Sequence, residues 1–231
     1  MPSTKPNYWQ VWEIVKMQEG RQIVAYFDFD GTLSDRDTLV PFLIYAVGIW
    51  RFLCCVPSLL PIVIRYGLRL INNETAKQLT LQRVIAGMKS YVLEQKAKNF
   101  ALTRLNKYLK PVVYSKLEWH REHGHTLVLV SANLGVYLRY WARLHKLDYV
   151  IATELDINER NRVTGCLQTR NCYGKEKVTR IKQFLADNHL SFSYSYAYGN
   201  SAGDYALFAY SNEPFYVSGD SVERWSHRNE R

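Results

Sequence analysis

Apolar and polar positions fall in blocks along the 231-residue chain, and the blocks predict elements. Ile23 to Phe29, IVAYFDF, is almost wholly apolar and aromatic, the pattern of a strand buried on both faces of a parallel sheet, and it ends in an Asp-Gly-Thr turn. Further β-type runs fall at Thr126 to Val130, Tyr149 to Ala152, Ser193 to Tyr198 and Pro214 to Val217. Helical patterns separate them. Pro111 and Gly124 frame one helix, as first-turn residue and terminator. Leu134, Leu138, Trp141 and Leu144, and then Val178, Ile181 and Leu185, recur at helical spacing and predict core-facing stripes. Glu154 to Tyr173, with Asn158, Asn161 and Gly165, predicts a hairpin or long loop. Strands alternating with helices predict an α/β fold.

Residues 38 to 110 interrupt the alternation with helical or apolar runs only, so the chain divides into a core domain, 1–37 with 111–231, and an inserted helical cap, 38–110. Within the cap, Leu39 to Ile71 carries only Arg51, Arg65 and Arg69 as charges, and Pro57 and Pro61 are expected to break it into two pieces. Each piece, about a dozen residues, is short for a bilayer. The expectation is a cap that buries its apolar faces against the core. The alternative is an interfacial hairpin with its arginines at lipid headgroups. Residues 1 to 21 predict a packing arm with a short helix around Trp9 to Met17.

Composition narrows the partners. Hydrophobic residues at 47% and charged residues at 22% exclude a disordered or collagen-like chain. With 30 Lys and Arg against 21 Asp and Glu, the formal charge of +9 attracts anions, yet no motif beyond charge indicates nucleic acid. The four cysteines form no C-x-x-C pair and are read as reduced thiols. The N-terminal stretch lacks a basic start followed by an apolar run, so the expected compartment is the cytoplasm, with membrane association through the apolar cap as the variant and a monomer or homodimer as the assembly. His120, His123 and His125, with Glu118 and Glu122, read as a polar helix end, and Glu223 to Arg231 as a basic surface tail.

Four motifs carry candidate chemistry. Asp28 and Asp30 in DFDGTL stand two residues apart at a strand end, where two carboxylates can share a divalent cation and Gly31 permits a sharp exit. LVLVSAN places Ser131, with the backbone of Ala132 and Asn133, at a second strand end suited to phosphate oxygens. YGKEKV offers Lys175 and Lys177 near a helix start, either able to neutralise phosphate charge. YGNSAGD puts Asn200 and Asp204 at another strand end.

In this order the motifs resemble those of the haloacid dehalogenase superfamily over about 180 residues, with a Rossmann-like core, and within it the phosphoserine-phosphatase-like subfamily IB with a helical cap, which includes the lipid phosphatase phosphatidylglycerophosphatase C. The resemblance implies a Mg2+-dependent phosphomonoesterase working through a phospho-aspartate. In it Asp28 is the nucleophile, Asp30 the acid and base, and Thr32 orients Asp30. Lys177 or Lys175, with Ser131, Ala132, Asn133 and Gly31, binds phosphate. Asp28, Asp30 and Asn200 hold the metal, Asn200 standing where relatives usually have Asp, and Asp204 holds a metal-bound water or orients the lysine. Asp37 replaces the Glu expected nine residues beyond the nucleophile in phosphoserine phosphatases, and Arg83 matches their substrate-clamping cap arginine. The substrate expected is a small or amphiphilic organic phosphate, phosphoserine-like or lipid. The competing reading is an inactive phospholigand-binding or membrane-associated protein of the same fold.

Overall fold

The computed structural model describes residues 22–226; the Trp9 to Met17 helix and the last five residues of the expected tail lie outside them. Six strands form one sheet in the order β3-β2-β1-β6-β7-β8. These are β1 (Ile23–Phe27), β2 (Thr126–Leu134), β3 (Tyr149–Thr153), β6 (Tyr194–Gly199), β7 (Glu213–Ser218) and β8 (Ser221–Arg224). Every neighbouring pair is parallel except β7 with β8, an antiparallel edge strand the apolar pattern did not announce. β4 (Leu155–Ile157) and β5 (Val163–Leu167) form a separate antiparallel hairpin within the stretch read as a hairpin or loop.

Alternation along β1 sorts the core into two layers. Ala25 and Phe27 face one side with α5 (Pro111–Glu122) and α6 (Gly135–Leu144); Val24 and Tyr26 face the other with α7 (Lys175–Asp187) and α8 (Tyr205–Tyr210). Pro111 occupies the first turn of α5, and Gly124, at φ +70°, follows its end. Trp225, assigned by sequence to a surface tail, is buried against Phe208 at 5.3 Å between ring centres.

The insertion comprises α1 (Leu39–Val47), α2 (Ile49–Gly67), α3 (Asn73–Val84) and α4 (Ser90–Thr103), followed by a 3-10 turn. The chain entering and the chain leaving it run side by side, with Asp35 N–H donating to Tyr108 O at 2.7 Å and Lys110 N–H to Leu33 O at 2.8 Å. α1 and α4 join the main core: Phe42 lies 4.7 Å from Tyr137 and 5.4 Å from Phe100 between ring centres. α2 departs from expectation twice. It runs unbroken through Pro57 and Pro61, and the break comes at Gly48, φ +83°. Both prolines are exposed, on a side of the helix where carbonyls deprived of their N–H partners can turn to solvent. And α2 buries only Ile62 fully, leaving most of its apolar side chains outside.

Candidate active site

The site grows from the end of the central strand. Asp28 N–H donates to Tyr198 O at 2.9 Å, tying β1 to β6, and the next five residues form one wide turn closed by Ser34 N–H to Phe29 O at 2.9 Å. Buried Phe29 and Leu33 anchor that turn. Gly31 sits at φ +76°, which favours glycine, and a Cβ there, 2.2 Å from Asn200 Nδ2, would push the Asn200 amide from its place. Because β2 and β6 flank β1, their ends deliver Ser131 and Asn200 to the same point. A cavity of about 430 Å³ opens there, lined by Asp28, Asp30, Ser131, Lys177, Asn200 and Asp204 among others.

Lys177, in the first turn of α7, is fully enclosed and donates to Asp28 Oδ1 at 2.7 Å and to Asp204 Oδ1 at 2.6 Å. Burial alone would lower its pKa; the two carboxylates outweigh burial and hold the ammonium above its usual range. Asp204 Oδ2 accepts from Asn200 N–H, Ser201 N–H and the Ser201 hydroxyl, each at 3.1 Å. Both its oxygens are thereby engaged in positioning the lysine and closing the turn, which is the lysine-orienting arrangement among the two expected of Asp204.

Asp28 and Asp30 occupy different surroundings. Burial pushes Asp28 up to about 6, against the pull of Lys177. Asp30 is pushed further, to about 7, by burial first and then by Asp37. Its Oδ1 accepts from Thr38 N–H at 2.9 Å and the Thr38 hydroxyl at 2.6 Å, and its Oδ2 accepts from Asn133 Nδ2 at 2.5 Å. Thr32, expected to orient Asp30, instead donates toward Asp28 Oδ2 and Asn200 Oδ1, each at 3.1 Å. Thr38, which no local pattern marked, holds Asp30.

The family is decided by a match of residues 25–209, nearly all of the described chain, to the haloacid dehalogenase-like hydrolase model. The chain belongs to the haloacid dehalogenase-like hydrolases. It is 30% identical to Protein CicA of Caulobacter vibrioides over 196 residues, covering 84% of this chain and 85% of that protein. A Bordetella pertussis Tohama I protein of unknown function shares the fold with a TM-score of 0.72 at 23% identity, over 84% of this chain and 89% of that one. A phospho-aspartyl intermediate analogue of phosphoserine phosphatase superposes with a TM-score of 0.58 at 14% identity, over 84% and 85% of the two chains.

Within this hydrolase framework several expected residues take other places. Lys175 opens α7 on the surface and borders a different hollow, so Lys177 alone reaches Asp28. Asn133 is committed: its N–H donates to Ser131 Oγ at 3.1 Å, its amide to Asp30, and its Oδ1 accepts from Leu134 N–H at 2.8 Å. It braces the acid rather than offering donors to phosphate. Arg83 is exposed at the end of α3 and does not line the cavity. Asp37 lines the cavity, but one of its oxygens caps α1 through Leu39 N–H at 2.7 Å.

The cap cation in the cavity is Lys77, on α3. It donates to Ala132 O at 2.6 Å and to Asn171 Oδ1 at 2.8 Å. Asn171 also receives Thr153 Oγ1 at 3.1 Å, gives its N–H to Glu74 and its amide to Asn73, so one face of α3 is fastened to the loop carrying Ser131. No local signal distinguishes Lys77 from any other helical lysine. His120, read as part of a polar helix end, is fully buried, with Nδ1 2.7 Å from His125 Nδ1 and Nε2 2.9 Å from the Tyr198 hydroxyl. Among the described residues no three His, Cys, Asp or Glu side chains gather as a metal cluster, and all four cysteines are free.

Oxygen donors nonetheless converge. The single Thr32 hydroxyl hydrogen can serve only one of Asp28 Oδ2 and Asn200 Oδ1, which leaves the other oxygen short of a positive partner. An all-oxygen set of this kind fits a hard divalent cation such as Mg2+. It brings less negative charge than a set with a carboxylate at position 200.

Proposed function

We propose that the protein is a Mg2+-dependent phosphomonoester phosphatase acting through an aspartyl-phosphate on a small or amphiphilic organic phosphate. The observation that carries this reading is the unequal pair of carboxylates at one strand end: Asp28 held by a buried ammonium, Asp30 held away from it with a raised pKa. Burial raises both, but only Asp28 is paired with an ammonium while Asp30 is hydrogen-bonded by Thr38 and Asn133, and two acids in such different surroundings suit different roles in one reaction.

Ionised Asp28 attacks phosphorus through the oxygen not paired with Lys177, the P–O bond to the leaving group breaks, and protonated Asp30 gives its proton to the departing alkoxide. Asp30, now a carboxylate, takes a proton from the water that attacks the phospho-aspartate, releasing phosphate and restoring both groups. Lys177 and the Ser131 hydroxyl balance charge on the transferring phosphoryl group, where positioning and electrostatics supply most of the rate. Asp28, the Asp30 backbone carbonyl and Asn200 would hold Mg2+, which when bound neutralises phosphate charge. The placement of Arg83 outside the cavity weighs against a phosphoserine-type carboxylate clamp and toward a leaving group without one.

Hydrolysis of p-nitrophenyl phosphate with Mg2+ tests the reading: Asp28→Asn is expected to lower kcat by roughly 10⁴-fold or more, and acid-quenched wild type to carry phosphate on Asp28. Turnover that survives Asp28→Asn overturns it. Asn200 favours one alternative, weak cation binding with little turnover; activity that saturates only at high Mg2+ and sharpens in Asn200→Asp would follow from that amide.

A further inference from the structure

Helix α2 is built with two unlike sides. Phe52, Cys55, Leu59 and Ile62, at three- and four-residue spacing, face inward; the first three pack on the core and Ile62 is buried. Trp50, Leu53, Leu60, Val63 and Ile64 stand outside, Trp50 at 80% exposure and Val63 at 63%. Exposed Leu68 and Leu70 continue the surface past its end. From Thr38 to Asn73 the chain has no Asp, Glu or Lys; its charges are Arg51, Arg65 and Arg69, all exposed and none in an ion pair among the described residues.

α2 is long and apolar enough to cross a membrane by length and composition alone. Its attachments forbid that. α1, immediately before it, buries Phe42 and Leu43 in the core, α3 after it is fastened to the catalytic loop through Lys77, and the inner stripe of α2 lies against the body along its length. A helix held at both ends and along one side by the same globular body can meet a bilayer only lying flat. A second copy of the chain is a poor occupant, since this surface carries positive charge alone and would meet its own arginines without an acid to pair them. The surface also leads to the cavity: Tyr66, near the end of α2, accepts from Asn73 Nδ2 at 3.4 Å, and Asn73 is part of the cavity wall.

We propose that α2 is an in-plane anchor that seats the cap on an anionic phospholipid bilayer, with the outer apolar stripe at the acyl boundary and Arg51, Arg65 and Arg69 at headgroup phosphates. The cavity mouth then opens beside the lipid surface, where an amphiphilic phosphate can enter without leaving the interface. Only this last clause rests on the phosphatase reading.

The test is flotation of the full chain with vesicles of phosphatidylcholine and phosphatidylglycerol at 7:3, against phosphatidylcholine alone. Wild type is expected to float with the anionic vesicles and to bind them at least about tenfold more tightly than neutral ones. The combined Leu53→Glu, Leu60→Glu and Ile64→Glu variant, altered only at exposed positions, is expected to lose binding by about tenfold or more while its melting temperature and its p-nitrophenyl phosphate turnover stay at wild-type values. Replacing the three arginines by Gln should abolish the preference for anionic vesicles. Fluorescence lost in Trp50→Phe should be quenched more by lipids brominated near the headgroup than near the chain end. Wild type that does not float, a Glu variant that still binds, deep quenching, or a lipid-free dimer dissolved by the Glu substitutions would each overturn the anchor. Flotation without p-nitrophenyl phosphate turnover would leave the anchor standing and remove the phosphatase.

Discussion

Two buried cations-in-waiting behave oppositely at the scale of single residues. Lys177 is charged because two carboxylates enclose it, so Lys177→Met strips positive charge from the phosphoryl site and leaves Asp28 and Asp204 buried side by side. The expected losses are about 10²- to 10³-fold in kcat and roughly 3–5 kcal/mol of stability, read from single-turnover kinetics and urea melts. Adding Asp204→Asn to that variant should recover part of the stability and none of the rate. His120 is held neutral: burial first, and then His125, lower its pKa from 6.5 to about 3. The unfolded chain therefore binds a proton near pH 6.5 that the folded chain refuses until about pH 3. The stability contributed by neutral His120 is complete above pH 6.5 and is lost as pH falls toward 3. His120→Gln is expected to be less stable at pH 7, having lost its bond to the Tyr198 hydroxyl, yet to lose less on acidification from pH 6.5 to 4. Parallel stability curves for the two proteins across that range would contradict the assignment.

At the scale of elements, the hairpin and α3 meet almost without clearance. Gly165 on β5 has φ +83°, and a Cβ there would fall 2.5 Å from Gln82 Cα, a backbone atom that cannot swing aside. Gly165→Ala is expected to cost roughly 1–3 kcal/mol and to loosen α3, seen as faster amide exchange at the bonds from Asn171 to Glu74. This junction also shows where sequence reading stops. The strands β1, β2, β3 and β7 were legible because each holds a short apolar run, β6 because its aromatic residues alternate with small ones, and the carboxylates, Ser131 and Asn200 because they sit at the ends of those segments. Lys77 and Asn171 were not legible: their roles exist only once α3 is laid on the loop after β5, a pairing nearly 100 residues apart with no local trace. Thr38 lies only eight residues from Asp30, but nothing in its local pattern separates it from any other threonine before a helix. The choice between Lys175 and Lys177 is a matter of helix phase, which two positions at a helix start do not reveal. The prolines of α2 misled for a related reason. Each proline removes one backbone bond, but on the exposed side of α2 the freed carbonyl can turn to water, so the helix continues through both.

For the whole molecule, the insertion is a separate unit in sequence but not in packing. Phe42 and Phe100 from the cap and Tyr137 and Trp141 from the core belong to one buried cluster that also takes in Phe27 and Phe29 beneath the catalytic turn. Thr38, at the doorway to the cap, gives its hydroxyl to Asp30 and shares a 3.0 Å bond with the Tyr137 hydroxyl, so the acid is positioned by the same seam that joins the two parts. A cap that swung freely would need a boundary poor in buried contacts, and here the boundary crosses the packed rings of Phe42, Phe100 and Tyr137. The consequence is cooperative unfolding. Phe42→Ala, a change wholly within the cap, is expected to cost roughly 3–5 kcal/mol and to lower a single transition seen identically by far-UV circular dichroism, by near-UV circular dichroism and by loss of phosphatase activity. If the cap signal melts first while the sheet persists, the shared core does not couple the two parts.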